Sequence, residues 1–300
     1  MSAYTTSVSE LPIGPPQAHF GFLETLWFQI AGTLCNLRCE HCFISCSPDN
    51  HTLKMMKTQD IFYYLDQAKE LGVKGIYYTG GEPFLHQDFL EILERTLLDF
   101  PVSVLTNGLP INNQRADRLE HLYSKSCYSL EIRISLDDYN EKRNDAVRGK
   151  GTFRQVLNTY KRLYDRGLLP ILTVSEIGDY LNPEEVPIDS YEKYVGLLQS
   201  IGVKQPRIKI IPVFEMGMLP IPEKAEKISP HMMKNYDHSL LQCSSSRMIA
   251  ADGIYACPIL VGEKKAKMAQ NSLKEALKPC SLYHTACHTC YLTGMTCRNF

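Results

Sequence analysis

The sequence predicts an α/β protein with a central parallel sheet. Short β-rich apolar runs alternate with amphipathic helical segments from residue 24 to about residue 213, as expected for successive βαβ units. A chain of 300 residues with 44% hydrophobic composition can enclose one large core. The predicted strands are Glu24–Ile30, Gly75–Thr79, Val102–Leu105, Leu130–Leu136, Ile171–Ser175 and Arg207–Val213. Six such units form either an open, partial barrel or a doubly wound sheet, and both place ligands at the carboxyl ends of the strands.

Amphipathic helices are predicted between these strands. Thr58 and Thr152 each precede a helical apolar pattern, and we expect each of them to cap its helix. A further helix is predicted after Ser190, with Tyr191, Val195 and Leu198 facing inward.

Charge and composition exclude several classes of protein. The formal net charge of -1 gives no field that would attract nucleic acid or an anionic membrane. The N-terminus lacks a basic segment followed by an apolar run, and no stretch of 18 apolar residues occurs. We therefore expect a soluble, cytoplasmic protein that has neither nucleic acid nor a membrane as its partner.

The cysteines indicate metal or redox chemistry. Eleven cysteines in a long chain without an export signal are not typical of a disulfide scaffold. Two groups contain all but one of them: Cys35, Cys39, Cys42 and Cys46, then Cys243, Cys257, Cys280, Cys287, Cys290 and Cys297. Cys127 stands alone, and we expect it to be buried, as lone cysteines usually are.

The first group of cysteines follows the first predicted strand. Cys35, Cys39 and Cys42 have C-x3-C-x2-C spacing, and three thiolates can hold three irons of a [4Fe-4S] cluster while the fourth iron stays open. This motif, with Phe43 after its last cysteine, resembles the radical S-adenosylmethionine (SAM) superfamily, in which SAM chelates the open iron. Structural zinc or free thiols are the alternatives. Cys46 lies outside the motif, and we interpret it as a bystander.

Further elements in the order of that family strengthen the resemblance. The sequence Gly80-Gly81-Glu82-Pro83 resembles the GGEP element, whose backbone and carboxylate receive the SAM amino group. The third strand ends in Thr106-Asn107-Gly108, which resembles an element near the methionine and ribose of SAM. The resemblance implies cofactor-binding roles for Gly80, Gly81, Glu82, Pro83, Thr106, Asn107, Ser135, Asp137 and Arg148.

The last three of these residues have specific implied roles. In related enzymes the serine and aspartate of an S-L-D sequence bind ribose hydroxyls, which assigns Ser135 and Asp137, and a later arginine, here Arg148, pairs with the SAM carboxylate. Hydroxyl and carboxylate acceptors suit a diol, and a guanidinium suits a carboxylate. The alternative for Arg148 is a structural ion pair beside a glycine-shaped turn.

The C-terminal cysteines resemble those of SPASM and twitch domains. Cys243, Gly253 and Cys257 match the hairpin that opens these domains, although three residues rather than four separate Gly253 from Cys257. The resemblance implies one auxiliary [4Fe-4S] cluster, ligated by Cys243 and Cys257 and by two further cysteines out of Cys280, Cys287, Cys290 and Cys297. We predict Cys287 and Cys290 as this second pair of metal ligands. Two incompletely ligated clusters and a zinc ribbon are the alternatives.

The resemblance also predicts the fold and the division of the chain. It implies a partial (β/α)6 barrel of the radical SAM type with a small Cys-rich, twitch/SPASM-like C-terminal domain. The predicted parts are an N-terminal extension at 1–22, the radical SAM core at 23–219, a linker at 220–239 and the auxiliary-cluster domain at 240–300.

The resemblance finally implies an activity. We expect an oxidoreductase that cleaves SAM reductively to a 5′-deoxyadenosyl radical, abstracts hydrogen from a peptide or small molecule, and takes electrons from a donor such as flavodoxin or ferredoxin. Only about twenty residues precede the first strand, which favours a small molecule or a separately delivered peptide. A glycyl-radical activating enzyme and a non-catalytic iron-sulfur or zinc-binding protein are the alternatives. No side chain is identified as catalytic.

Overall fold

The computed structural model describes residues 14–175 and 190–294 and has the predicted α/β architecture. The strands are β1 (Gln17–Ala18), β2 (Thr25–Gln29), β3 (Gly75–Thr79), β4 (Val102–Thr106), β5 (Leu130–Leu136), β6 (Ile171–Ser175), β7 (Ile208–Ile211), β8 (Ser246–Ala250), β9 (Gly253–Tyr255), β10 (Lys267–Ala269) and β11 (Cys280–Ser281). The helices are α1 (Thr58–Glu70), α2 (Phe89–Thr96), α3 (Asn113–Lys125), α4 (Glu141–Arg148), α5 (Thr152–Tyr164), α6 (Ser190–Ser200), α7 (Leu273–Ala276) and α8 (Thr285–Thr293).

The central strands decide between the two predicted sheet types. Strands β2 to β7 lie side by side in sequence order, and every neighbouring pair is parallel. A doubly wound sheet reverses its order partway, whereas this order runs in one direction, as in a barrel. The predicted partial barrel is therefore confirmed. Within the described ranges, none of the helices has the combined length and apolar character that crossing a bilayer requires.

The hairpin formed by β8 and β9 extends this sheet at its β2 edge. Strand β8 pairs in parallel with β2, in the register Thr25 to Ser246, and β9 and β10 follow in antiparallel pairing. Strand β1 pairs with β11, so the segment before the barrel is attached to the C-terminal cysteine region. One nine-stranded sheet thus runs from the barrel into the Cys-rich part of the chain.

Two predicted helix caps are wrong. Thr58 and Thr152 are the first helical residues of their helices and do not occupy the N-cap position. The hydroxyl of Thr58 donates to Asp88 at 2.6 Å, and the hydroxyl of Thr152 donates to Asp145 at 3.2 Å. Gly151 is the N-cap of α5 with φ of 80°, a left-handed conformation that glycine adopts without steric cost.

Two predictions of burial are also wrong. Tyr191 is 45% exposed, because Tyr194 shares the inner face of α6 with Leu198, four residues further on. Cys127 is exposed in the turn between α3 and β5. The prediction that Leu198 faces inward is confirmed.

Candidate active site

A cavity with an empty volume of about 930 Å³, partly open to solvent, lies at the carboxyl ends of the barrel strands. Ligands were expected at this end of the sheet. The predicted site residues that line the cavity are Cys35, Cys39, Cys42, Gly80, Gly81, Thr106, Asn107, Ser135, Asp137 and Arg148. The structure therefore brings together residues from the loop after β2, from the ends of β3, β4 and β5, and from α4.

The loop after β2 holds its cysteines among hydrogen-bond donors. The backbone N–H of Leu37 donates to Cys35 Sγ at 3.5 Å, and Asn107 Nδ2 donates to the same sulfur at 3.7 Å. The backbone N–H of Cys46 donates to Cys42 Sγ at 3.2 Å. Donors aimed at sulfur stabilise a thiolate, which is the form that binds iron.

The three motif thiols differ in acidity. Burial raises the pKa of Cys35 to about 12 and the pKa of Cys39 to about 11. A hydrogen bond with the Cys46 thiol lowers the pKa of Cys42 below its usual range. Without metal, Cys35 and Cys39 therefore retain their protons at neutral pH, and metal binding must release them.

The glycines after β3 allow two loops to approach each other. The backbone N–H of Gly81 donates to the Gly32 carbonyl at 2.9 Å, and that of Glu82 donates to the Leu34 carbonyl at 3.0 Å. A Cβ on Gly81 would lie 1.8 Å from the Leu34 carbonyl oxygen. The contact that requires glycine at position 81 is therefore with the cysteine loop.

Glu82 is fully buried behind the cavity wall rather than lining it. Its carboxylate accepts hydrogen bonds from Thr106 Oγ1 at 2.7 Å, from Asn107 N at 2.8 Å and from Phe84 N at 3.1 Å. These bonds join the end of β3 to the end of β4. Glu82 and Pro83 are not among the residues that line the cavity, and their roles toward SAM stay predictions.

The Glu82 carboxyl makes the stability of the metal-free protein depend on pH. Burial raises the pKa of Glu82 to about 7, against 4.5 for an ordinary glutamate. As pH rises through this range the unfolded chain loses a proton that the folded chain retains, so the free energy of unfolding falls by up to roughly 3 kcal/mol. We expect Glu82→Gln to remove this dependence of the free energy of unfolding on pH. Chemical denaturation of both metal-free proteins from pH 4.5 to pH 8 measures the difference, and a difference that does not vary with pH would contradict the assignment.

Asp137 forms the centre of a buried charged network. Its carboxylate lies 2.5 Å from Arg148 Nε and 2.7 Å from His41 Nε2, and it accepts a hydrogen bond from the Ser175 hydroxyl. Burial raises the pKa of Asp137, but the charges of Arg148 and His41 outweigh burial and hold this pKa well below its usual range. This ion pair is the contact that the alternative interpretation of Arg148, a structural ion pair, predicted. The roles of both residues toward SAM stay predictions.

Several residues that line the cavity were not identified from the sequence. They include His41, Arg133, Thr173 and Ser175. The signal was available in β5, where Glu131, Arg133 and Ser135 alternate with buried apolar residues, a period of two that places polar side chains inside the barrel. The same signal was available in β6, where Thr173 and Ser175 alternate with the buried Leu172 and Val174.

A second, smaller cavity of about 320 Å³ lies among the C-terminal cysteines. Cys243, Cys257, Cys287 and Cys290 all line it. Cys287 and Cys290 lie one turn apart on α8, which places them on the same helix face. Cys280 is buried outside this lining, and its thiol forms a hydrogen bond with the Cys243 thiol. Cys297 lies outside the described residues.

The donor sets of both cavities fit iron-sulfur clusters. In the described ranges, no three His, Cys, Asp or Glu side chains converge on a point that one metal ion could occupy. A cubane distributes its ligands over several irons, so its thiolates need no common point. The buried hydroxyl of Thr173 in the larger cavity has no hydrogen-bond partner in the described part of the chain. A bound molecule with its own hydroxyl groups would satisfy it.

Known proteins are similar in sequence to part of this chain. AlbA, the antilisterial bacteriocin subtilosin biosynthesis protein of Bacillus subtilis (strain 168), is 34% identical over 143 residues, covering 47% of this chain and 31% of AlbA. The mycofactocin maturase MftC of Mycolicibacterium smegmatis is 34% identical over 135 residues, covering 44% of this chain and 32% of MftC. The matched segment thus spans about a third of these curated relatives.

A solved structure shares the fold. Streptococcus suis SuiB superposes with a TM-score of 0.64 at 18% sequence identity, covering 87% of this chain and 67% of SuiB. The family model of the radical SAM superfamily matches residues 30–187, which is more than half of the chain and includes the cysteine loop. The cofactors of that superfamily are SAM and a [4Fe-4S] cluster, and the three motif thiols line the larger cavity. The predicted family is confirmed, and the chain belongs to the radical SAM superfamily.

Proposed function

We propose that this protein is an oxidoreductase that cleaves SAM reductively and modifies a peptide through the resulting radical. One observation carries the proposal: the motif thiols, Gly80, Gly81 and Ser135 meet around a single cavity. A protein that only carried electrons would need the thiols but not a cavity large enough for a nucleoside beside them.

Different residues of the cavity have different roles in the reaction. When bound, the cluster supplies one electron that breaks the bond between sulfur and C5′ of SAM, giving methionine and a 5′-deoxyadenosyl radical that takes a hydrogen atom from the substrate. Ser135 and Thr173 present hydroxyls that suit a ribose. Leu37, Phe43 and Ile211 give the wall apolar surface that excludes water from the reacting centre.

A peptide is the substrate class that AlbA and MftC favour. AlbA is named for the biosynthesis of a bacteriocin, and MftC is named a maturase. We propose an oxidation or a crosslink in such a peptide, with flavodoxin or ferredoxin as the electron donor. Cells grown in deuterated medium provide a test: deuterium should enter 5′-deoxyadenosine from their peptide fraction. Transfer only from the fraction of smaller metabolites would assign a small-molecule substrate.

We further propose that residues 240–300 form a twitch/SPASM-like domain with one auxiliary [4Fe-4S] cluster, joined to the core at 23–219 by the linker at 220–239. The support is the cavity lined by Cys243, Cys257, Cys287 and Cys290, which supplies the four thiols of a fully ligated cluster. Full protein ligation leaves no iron open to a substrate. The cluster would therefore transfer electrons rather than bind the substrate.

Iron content and SAM cleavage test both sites together. After anaerobic reconstitution we expect about eight irons in the wild-type protein, and about four both in a Cys35/Cys39/Cys42→Ala protein and in Cys243/Cys257→Ala. Only the first of these variants should lose 5′-deoxyadenosine formation completely. Cys127→Ala is the matched control, since this thiol is exposed and distant from both cavities, and it should match the wild type.

The alternatives predict different results. A fully loaded protein that neither forms 5′-deoxyadenosine nor binds SAM in a titration would be an electron carrier. If the protein bound zinc where the four irons of the auxiliary cluster are expected, the C-terminal cysteines would form a zinc ribbon and not an iron-sulfur cluster. Stable radical formation on a glycine of a partner protein would assign a glycyl-radical activating enzyme.

A further inference from the structure

Arg247 on β8 is a fully buried arginine, with 0% of its surface exposed. Its guanidinium donates to backbone carbonyls only: Nε to Ala276 at 2.7 Å, Nη1 to Cys243 at 2.7 Å, Ser246 at 2.6 Å and Ala256 at 3.4 Å, and Nη2 to Lys278 at 2.6 Å. Because a guanidinium has a rigid planar fork of donors, these contacts fix the relative positions of the segments that provide the carbonyls.

Those segments are the ones that carry the C-terminal cysteines. One carbonyl belongs to Cys243 itself, another belongs to Ala256, which precedes Cys257, and a third belongs to Lys278, two residues before Cys280. A single side chain thus ties together three strands or turns, each with a buried thiol. The guanidinium carbon also lies 4.1 Å from the centre of the Phe20 ring, which closes the remaining side.

The charge of Arg247 has no carboxylate to balance it. No aspartate or glutamate in the described part of the chain forms an ion pair with it, and all of its hydrogen bonds go to neutral carbonyls. A buried charge without a counter-charge costs several kcal/mol. Burial lowers the pKa of Arg247, and the ionisable groups that oppose this effect are the thiols of Cys280, Cys243 and Cys257.

We infer that Arg247 is a positioning residue that supplies the buried counter-charge of the auxiliary cluster and raises the reduction potential of that cluster. A [4Fe-4S] cluster with four thiolates carries a net charge of about -2 when oxidised and about -3 when reduced. A fixed cation beside it stabilises the more negative, reduced form. The inference rests on the proposed auxiliary cluster.

The test measures a potential rather than activity. In the Cys35/Cys39/Cys42→Ala background only the auxiliary cluster remains, so an EPR-monitored redox titration reports on it alone. Arg247→Gln removes the charge, and we expect its reduction equilibrium to shift by about tenfold toward the oxidised form, which is about 59 mV for one electron. Lys278→Gln is the matched control, because it removes a cation only two residues from Cys280 that is exposed and therefore screened by water, and its potential should stay unchanged.

Arg247→Lys separates the charge from the hydrogen bonds. It keeps the cation but has at most three donors, so we expect a potential near that of the parent protein. If Arg247→Gln loses its iron, this variant decides the question, and a tenfold shift in Arg247→Lys would overturn the inference. An unchanged potential in fully loaded Arg247→Gln would overturn it too. A parent protein that binds no second cluster would disprove the auxiliary site itself, and the inference would fall with it.

Discussion

Gly81→Ala should abolish assembly of the catalytic cluster. The added Cβ would lie 1.8 Å from the Leu34 carbonyl oxygen and 2.8 Å from the Cys35 backbone nitrogen. Both obstacles are backbone atoms, so no side-chain rotation can relieve the overlap, and the cysteine loop must move. We expect a loss of at least about 3 kcal/mol in the free energy of unfolding. Iron analysis of the reconstituted variant should show the auxiliary cluster alone.

Gly196→Ala is the control for this substitution. Gly196 lies inside α6, and in the described part of the chain no atom outside the adjacent backbone of that helix lies within 4 Å of the position that its Cβ would take. Alanine is the better helix former there, so we expect an increase in stability of about 0.5–1 kcal/mol and full iron content. A Gly81→Ala protein with wild-type iron and wild-type 5′-deoxyadenosine formation would show that the two loops do not depend on this contact.

Asp137→Asn should have the next largest effect. The substitution keeps the shape of the side chain but leaves the buried Arg148 guanidinium and His41 without their anion. Removing one partner of a buried ion pair typically costs about 3–5 kcal/mol. Since Arg148 also faces the cavity, we expect SAM binding to weaken by more than tenfold. Urea denaturation and equilibrium dialysis with labelled SAM measure the two effects.

Asp165→Asn provides the comparison on the surface. Asp165 pairs with Lys161 across one turn at the end of α5, and both side chains are more than a third exposed. Exposed pairs of this kind contribute less than about 1 kcal/mol, and Asp165 is remote from the cavity. Equal losses of stability in the two variants would show that the Asp137 network contributes no more than an ordinary surface pair.

Much of the barrel was predictable because its strands are buried on both faces. Continuous apolar runs marked β3 and β6 at their observed limits, and the motifs after each strand fell at the carboxyl ends where the sheet brings them together. Local sequence could not indicate where helices begin, since Thr58 and Thr152 satisfy the rule for a cap but find side-chain acceptors elsewhere. Asp88 lies 30 residues from Thr58 and Asp145 lies seven residues from Thr152, so neither acceptor belongs to the helix that begins there.

The sequence identified polar and charged residues of the site but not which of them contact each other. Ser135, Asp137 and Arg148 were identified from motifs, yet the contact between Asp137 and His41 joins residues that lie far apart in the chain. Arg247 was not identified because an isolated arginine in a sequence is most often exposed. The backbone carbonyls that surround Arg247 explain its burial. They belong to C-terminal segments that come together only in the folded protein.

The pairing of β8 with β2 has a consequence for biosynthesis. Thr25 leaves the ribosome about 220 residues before its partner Ser246, so one edge of the nascent barrel has no neighbouring strand while the residues between them are made. Contacts of such high sequence separation form slowly, because a long loop must close first. We therefore expect the cysteine loop that follows β2 to become fixed only after the C-terminal hairpin has been made. Cluster insertion would then follow synthesis of this hairpin, and truncation before residue 246 should leave a product that aggregates rather than one that retains a working catalytic half.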